Sequence, residues 1–295
     1  MNYLKKSLAL VFALALCLSA AACGGSDAPA SSAAPAASAP ASSEATDGSS
    51  APAETITLTV GASPAPHAEI LEQVKPLLEA EGIQLEIKEF TDYVMPNKVL
   101  DAGEIDANYF QHKPYLDNFN AENGTDLAAA AFIHFEPLGV YPGKTASLDA
   151  LPDGGVVAVP NDPSNEARAL QLLEKLGLIK LKEGVGLNAT KLDIIENAKN
   201  LDIQEIEAAQ LPRLLPDVDI AVVNGNYAVE AGIADTVLDA EDKESEAAQE
   251  FANIIAVRAG DESRPEIQKL IEALQSDTIR DYITNTYGGV VIPVF

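Results

Sequence analysis

An α/β fold, with helices layered on sheets, is what this sequence predicts, and two observations predict it. Segments with strand-like apolar patterns take turns with segments whose apolar residues recur every three to four positions. The residues of unusual chemistry also fall just past the strand-like segments, the edge where open α/β sheets bind ligands. Strands alternating with helices imply largely parallel sheets.

The elements follow in order. ITLTVGAS (56–63) is rich in β-branched residues and ends in small ones, as a strand does. From His67 to Glu81 a helix is expected, with Ile70, Leu71, Val74, Leu77 and Leu78 on one stripe and Pro76 kinking or splitting it. IQLEIKEF (83–90) sets Ile83, Leu85 and Ile87 against Gln84, Glu86 and Lys88, the alternation of a half-buried strand. A short helix from Met95 to Ala102 precedes a strand at IDANYF (105–110). GVVAVP (155–160) is a strand, NDPSNEARALQLLEKLGL (161–178) opens a helix, and VDIAVVN (218–224) is a buried strand. The chain closes with a strand at NIIAVRAG (253–260), a helix from Pro265 to Leu274 and another around Ile279 to Thr284.

Ahead of these elements, Lys5 and Lys6 precede an apolar run from Leu8 to Leu18 and then small residues up to Cys23. That is the layout of a secretory signal over residues 1–22, too short for a stable membrane span. Ala20-Ala21-Ala22-Cys23 resembles a bacterial lipobox with Ala in place of the commoner Leu. Cleavage there removes Cys17, leaves Cys23 to carry lipid, and excludes an intrachain disulfide. Residues 23–53 are almost only Ala, Ser, Pro and Gly with a few acids, a composition that stays an extended tether with a reach of roughly 30 Å. The net charge of −26 becomes −28 once the two leader lysines are lost, which argues against nucleic acid and against an anionic lipid face.

Ser63, Phe110 and His112, the run from Asn161 to Arg168, and Asn224 all sit past strands, a pattern that favours one cleft lined from several elements. In NDPSNEAR, Asp162 or Ser164 can cap a helix with Pro163 in its first turn, and the free N–H groups there form an anion site. Arg168 lies a turn further, where its fork can take a carboxylate; on spacing alone, an exposed pairing with Glu166 or Glu174 explains it equally. Asn224 before Gly225 reads first as a turn residue. The aromatics of YFQHKPYL (109–116) read first as core, and His112 as a hydrogen-bonded structural histidine. His67, His112 and His134 lack the spacing that presents two ligands to one metal ion, and no HExxH occurs. No GxSxG or other catalytic group announces an enzyme.

Three stretches carry a resemblance: FTDYVMPNKVLDAGEIDANYFQHKPYLDNFN (90–120), NDPSNEARALQLLEKLGLI (161–179) and DIAVVNGNYA (219–228). They resemble the methionine-binding lipoproteins of bacterial ABC importers, the NlpA/MetQ-type family, and the match runs from about Thr57 to the closing GGVVIPVF. The resemblance implies a two-lobed, periplasmic-binding-protein fold of type II-like form, hinged, with the ligand in the interlobe cleft. Lobe one would span 54–138 plus 251–295 and lobe two 139–250, the chain crossing near Pro137–Val140 and returning near Glu250. Tyr93, Phe110, His112 and Tyr115 would surround the thioether, a setting in which sulfur gains about 0.3–1.5 kcal/mol from aromatic edges. Arg168 would hold the carboxylate, with Asn165 and Asn224 at the polar end; Asn226 and Phe295 receive no role. The implied partners are L-methionine or a related amino acid, an importer permease and, through it, the ATPase. The implied protein is an extracytoplasmic monomer that touches the membrane through its lipid anchor, without cofactor, resident metal or catalytic step. The alternative ligands are another amino acid, a short peptide or a metal ion.

Overall fold

The computed structural model describes residues 55–295 except 245 and 246, with backbone only at 247 and 248. The expected signal, Cys23 and the tether lie outside the described residues. In chain order the elements begin with β1 (Ile56–Ala62), α1 (Glu69–Glu79), β2 (Ile83–Glu89), α2 (Met95–Asp101) and β3 (Ala107–His112). Next come α3 (Lys113–Asn123), β4 (Leu127–Phe135), β5 (Gly139–Pro142), β6 (Val156–Pro160) and α4 (Pro163–Lys175). The middle continues with β7 (Lys180–Leu181), β8 (Ile194–Glu196), β9 (Asp202–Ile206), α5 (Leu211–Leu214), β10 (Ile220–Val223), α6 (Gly225–Glu230) and β11 (Asp239–Ala240). The chain ends with α7 (Ala247–Glu250), β12 (Asn253–Arg258), α8 (Pro265–Leu274), α9 (Asp277–Tyr287) and β13 (Ile292–Pro293).

Two main sheets result. The first has six strands in the order β13-β4-β12-β3-β1-β2, the second five in the order β11-β5-β10-β6-β9. The chain passes from the first to the second between Phe135 and Gly139 and returns between Ala240 and Asn253. The sheets are mixed, which corrects the expectation of largely parallel ones. Among the described residues, parallel pairing joins β1 to β2 and β3, and β6 to β9 and β10, while β4, β5, β11, β12 and β13 pair antiparallel. The crossings explain this. A strand that follows a crossing starts at the edge where its neighbours end, so β5 runs against β10, and β12 against β3 and β4.

Of the two expected outcomes, a kink or a split, the split does not occur: α1 runs through Pro76. The proline sits with Glu72 on the exposed face, where the carbonyl that its missing N–H leaves free is open to solvent. The helix also begins later than expected, at Glu69 and not at His67. His67 lies in a preceding turn (Pro64–Ala68) and is fully buried. Ile70, Leu71, Val74 and Leu78 cover one face of the first sheet beside Ile267, Leu270 and Leu274 of α8. At about 1.5–3 kcal/mol for each large aliphatic side chain, this packing holds β1 and β3 rigid beneath the site. Leu170, Leu172 and Leu173 of α4 do the same on the second sheet against Val157, Val159, Ile220 and Val222.

Candidate functional site

Tyr93, Phe110, His112, Tyr115, Asn165, Arg168 and Asn224 line one cavity of about 330 Å³. They come from different elements for the reason the sequence offered: β3, β6 and β10 all end here, and the next residues turn into helices. Gln111, Glu136, Gly225, Asn226 and Asn253 join them, and none of these carried a sequence signal.

The polar side starts from a helix cap. Asp162 caps α4 by accepting from the Asn165 backbone at 3.0 Å, with Pro163 in the first turn. Both Asp162 oxygens also accept from Asn165 Nδ2, at 2.9 and 3.0 Å, which turns Asn165 Oδ1 the other way. That oxygen accepts from Asn224 Nδ2 at 2.9 Å and meets His112 Nε2 at 3.1 Å. His112 Nδ1 accepts from the Tyr115 backbone at 3.2 Å, capping α3, so the proton sits on Nε2 and the ring donates to Asn165. Burial, reinforced by the Arg168 charge, lowers the His112 pKa to about 3 and keeps the ring neutral.

Arg168 is 4 % exposed, and its ion-pair partner is neither Glu166 nor Glu174. Nε donates to Glu241 Oε1 at 2.6 Å, and Nη2 donates to Glu241 Oε2 and, at 2.9 Å, to the Glu136 carbonyl. Nη1 has no partner among the described residues. Two buried atoms of residues lining this cavity are unpaired: Asn224 Oδ1, an acceptor, and Asn226 Nδ2, a donor. A buried unpaired amide group costs about 1–3 kcal/mol, so a donor and an acceptor left open together imply a ligand that carries both functions.

The opposite wall is aromatic. Tyr93 stands 5.7 Å from the rings of both Phe110 and Tyr115 and 5.0 Å from Tyr227. Tyr115 donates to the Tyr93 carbonyl at 2.9 Å, and Tyr93 donates to Asn226 Oδ1 at 2.5 Å. Burial raises the pKa of all three phenols, so they stay protonated donors.

Comparison with known proteins places this architecture. A family model described as NlpA lipoprotein matches residues 58–295. The chain belongs to the NlpA lipoprotein family. It is 46% identical over 212 residues to the D-methionine-binding lipoprotein MetQ of Escherichia coli K12, covering 70% of this chain and 77% of that one. A nutrient-binding protein from Burkholderia cenocepacia, solved bound to methionine, superposes with a TM-score of 0.77 at 45% identity, covering 81% of this chain and 100% of that one. A periplasmic substrate-binding protein of an ABC transporter from Coxiella burnetii gives 0.75 at 40% identity, covering 80% and 100%. The fold is the two-lobed α/β arrangement of periplasmic substrate-binding proteins.

This NlpA-family chain also buries a polar network behind the cavity. His134 Nε2 meets Glu136 Oε1 at 2.7 Å, and His67 Nε2 lies 3.5 Å from the same oxygen and 3.0 Å from Asn253 Oδ1. Tyr109 bonds to His134 Nδ1 from the other side. The expectation that no two histidines are presented together is therefore corrected: His67, His134 and Glu136 bring three ligand-type atoms within 4.8 Å of one another. The turn after β1 and the end of β4 make the contact, and their separation in sequence hides it. The three clustered atoms are committed to hydrogen bonds, since Nε2–H of His134 donates to Glu136 and Nε2–H of His67 donates to Asn253 Oδ1; Tyr109 donates to Nδ1 of His134, while Nδ1 of His67 has no partner among the described residues. Burial lowers the His134 and His67 pKa values to about 3 and about 4 and raises that of Glu136, against the lowering influence of His67 and of the Asn226 backbone N–H. Gly225 is required beside it, since a Cβ there would lie 2.7 Å from Glu136 Cβ.

Proposed function

We propose that this lipoprotein captures methionine outside the cytoplasm and delivers it to an ABC importer. The observation that carries the reading is one cavity with unspent hydrogen-bonding groups at one end and three aromatic rings at the other. Arg168 Nη1 and Asn226 Nδ2 receive the carboxylate, Asn224 Oδ1 and the Glu136 carboxylate receive the ammonium, and Tyr93, Phe110 and Tyr115 surround the thioether. His112 is assigned to the polar end, not beside the thioether as the resemblance implied, because it is hydrogen-bonded across the cleft to Asn165. The methionine-bound relative from Burkholderia cenocepacia, at 45% identity, supports the choice of ligand.

The lobes are 54–138 plus 251–295 and 139–250, and the ligand completes closure because its contacts come from both. The protein acts as a monomer without a catalytic step, tethered through lipid on Cys23. Among the described residues no helix is long and apolar enough to cross a membrane, and that anchor would supply the attachment. Its partners are the importer permease and, through it, the ATPase. The test is mass spectrometry of small molecules released on unfolding, followed by calorimetric titration of the refolded, emptied protein. Methionine released and rebound at one site per chain is expected. Release of a different amino acid or a dipeptide, with no methionine heat, would overturn the assignment.

A further inference from the structure

Arg168 is held by the two connections that join the sheets. Phe135 ends β4 and places its ring 5.6 Å from the guanidinium; the Glu136 carbonyl accepts from Nη2 at 2.9 Å. Both residues belong to the outgoing connection. On the return, Glu241 follows β11 and forms the two-point pair with Nε and Nη2, and Phe251, just before β12, lies 4.4 Å from the guanidinium. Glu241 also ties the two connections to each other: its Oε2 accepts from the Leu138 N–H at 2.9 Å, and its N–H donates to the Leu138 carbonyl at 3.0 Å.

We propose that Glu241 is a positioning residue for carboxylate recognition, holding the Arg168 guanidinium in the one orientation that leaves Nη1 to the ligand. The inference rests on the reading that Arg168 takes the ligand's carboxylate. A planar fork matched to a carboxylate is fixed in plane and rotation, whereas a single hydrogen bond would let it turn. With Nε and Nη2 saturated and an aromatic ring on either connection, Nη1 is the atom that remains. A glutamine at 241 would set its own amide N–H against a guanidinium N–H, and the fork would have to rotate away. Removing the glutamate also removes a negative charge near the bound carboxylate, which pulls the other way. The proposal requires that lost geometry outweigh this gain.

The experiment is calorimetric titration of the emptied full-length protein, comparing methionine with methioninamide, which lacks the carboxylate charge. In Glu241→Gln, methionine should weaken at least about tenfold while methioninamide changes less than about threefold. Glu241→Asp, which restores the charge one methylene short, should recover part of the methionine loss. Equal weakening for both ligands would make Glu241 a structural prop, and unchanged or stronger methionine binding would make it a counter-charge only; either result overturns the proposal. Should Glu241→Gln fail to fold, Glu241→Asp alone decides, a methionine-selective loss supporting positioning and an equal loss refuting it. Arg168→Ala separates the underlying reading: if it keeps the parent's preference for methionine over the amide, the carboxylate is not at Arg168 at all. If that preference is lost there but kept in Glu241→Gln, only the positioning role falls.

Discussion

Replacing Asn165 with leucine tests the link that crosses the cleft. The substitution keeps most of the side-chain volume, so water has little space in which to replace the amide. Asp162 keeps its cap, because its bonds from the Asn165 backbone and from Ser164 Oγ, both at 3.0 Å, do not use the side chain. Two buried donors lose their acceptor: Asn224 Nδ2, at 2.9 Å, and His112 Nε2, at 3.1 Å. Each costs about 1–3 kcal/mol when left dry. The Asn224 bond lies within the second lobe and burdens open and closed forms alike. The His112 bond joins the lobes, so its loss falls on closure. Methionine should therefore bind about 5- to 150-fold more weakly, the range that 1–3 kcal/mol covers. Calorimetric titration measures this, with the unfolding transition as a check on folding. A double-mutant cycle against His112→Ala, which also removes the α3 cap, should return a coupling of about 0.5–1.5 kcal/mol. A folded Asn165→Leu that binds within twofold of the parent, or strict additivity in the cycle, would refute the reasoning.

Three further outcomes are expected. Cys23→Ser should move the protein from membranes into the soluble or secreted fraction, and continued membrane association with normal export would count against the anchor. The folded pKa values of about 4 at His67 and about 3 at His112 and His134 lie below the ordinary 6.5, so the unfolded chain takes up protons first as pH falls. Their contribution is complete above pH 6.5 and is lost as pH drops toward 4, opposed in part by the raised carboxyls of Glu136 and Asp162. Imidazole resonances of the folded protein should stay neutral at pH 5, and a midpoint near 6.5 at any of the three would contradict their burial. Methionine binding should survive chelation, because the clustered atoms, Nε2 of His67, Nε2 of His134 and Oε1 of Glu136, are engaged in hydrogen bonds; binding abolished by chelator and restored by zinc would make that cluster a metal centre.

The sequence was legible where chemistry and position coincide. Strands with two-residue alternation or β-branched runs, such as β1, β2 and β6, declare themselves; the residues past the strands were legible as a shared edge, while Phe110, His112 and Asn224 read singly as core, structural histidine and turn. Leu127–Phe135 does not, because four consecutive alanines, Ala128 to Ala131, carry little strand preference; its place is decided by pairing with β12 and β13. Glu136 and Glu241 were invisible for a different reason. Glu241 stands in an acidic stretch that reads as solvated surface, and only the Arg168 fork 73 positions away makes it a half-buried ion-pair partner. Asn226 is a helix residue until Tyr93 takes its oxygen and leaves its nitrogen open to the cavity. The roles of Tyr93 and Asn165 came from the family resemblance, since neither a lone tyrosine nor an asparagine in a helix's first turn signals a ligand unaided.

Closure itself sets how much the ligand must contribute. Among the described residues, the direct bonds between the lobes include His112 to Asn165, Tyr93 to Asn226, Tyr227 to the Thr91 carbonyl at 3.2 Å, and Arg168 to the Glu136 carbonyl at 2.9 Å. At about 0.5–1.5 kcal/mol net for each, they give closure only a few kcal/mol. Against that stand the unpaired Asn224 oxygen and Asn226 nitrogen at about 1–3 kcal/mol each, and a Glu136 carboxylate held away from water. These unpaired groups oppose closure until a ligand meets them. A zwitterion removes the opposing side at once: its ammonium meets the oxygen and the carboxylate, and its carboxylate meets the nitrogen and Arg168. An uncharged thioether of the same length would fill the aromatic wall and leave those groups unpaired, so it should bind without stabilising the closed lobes.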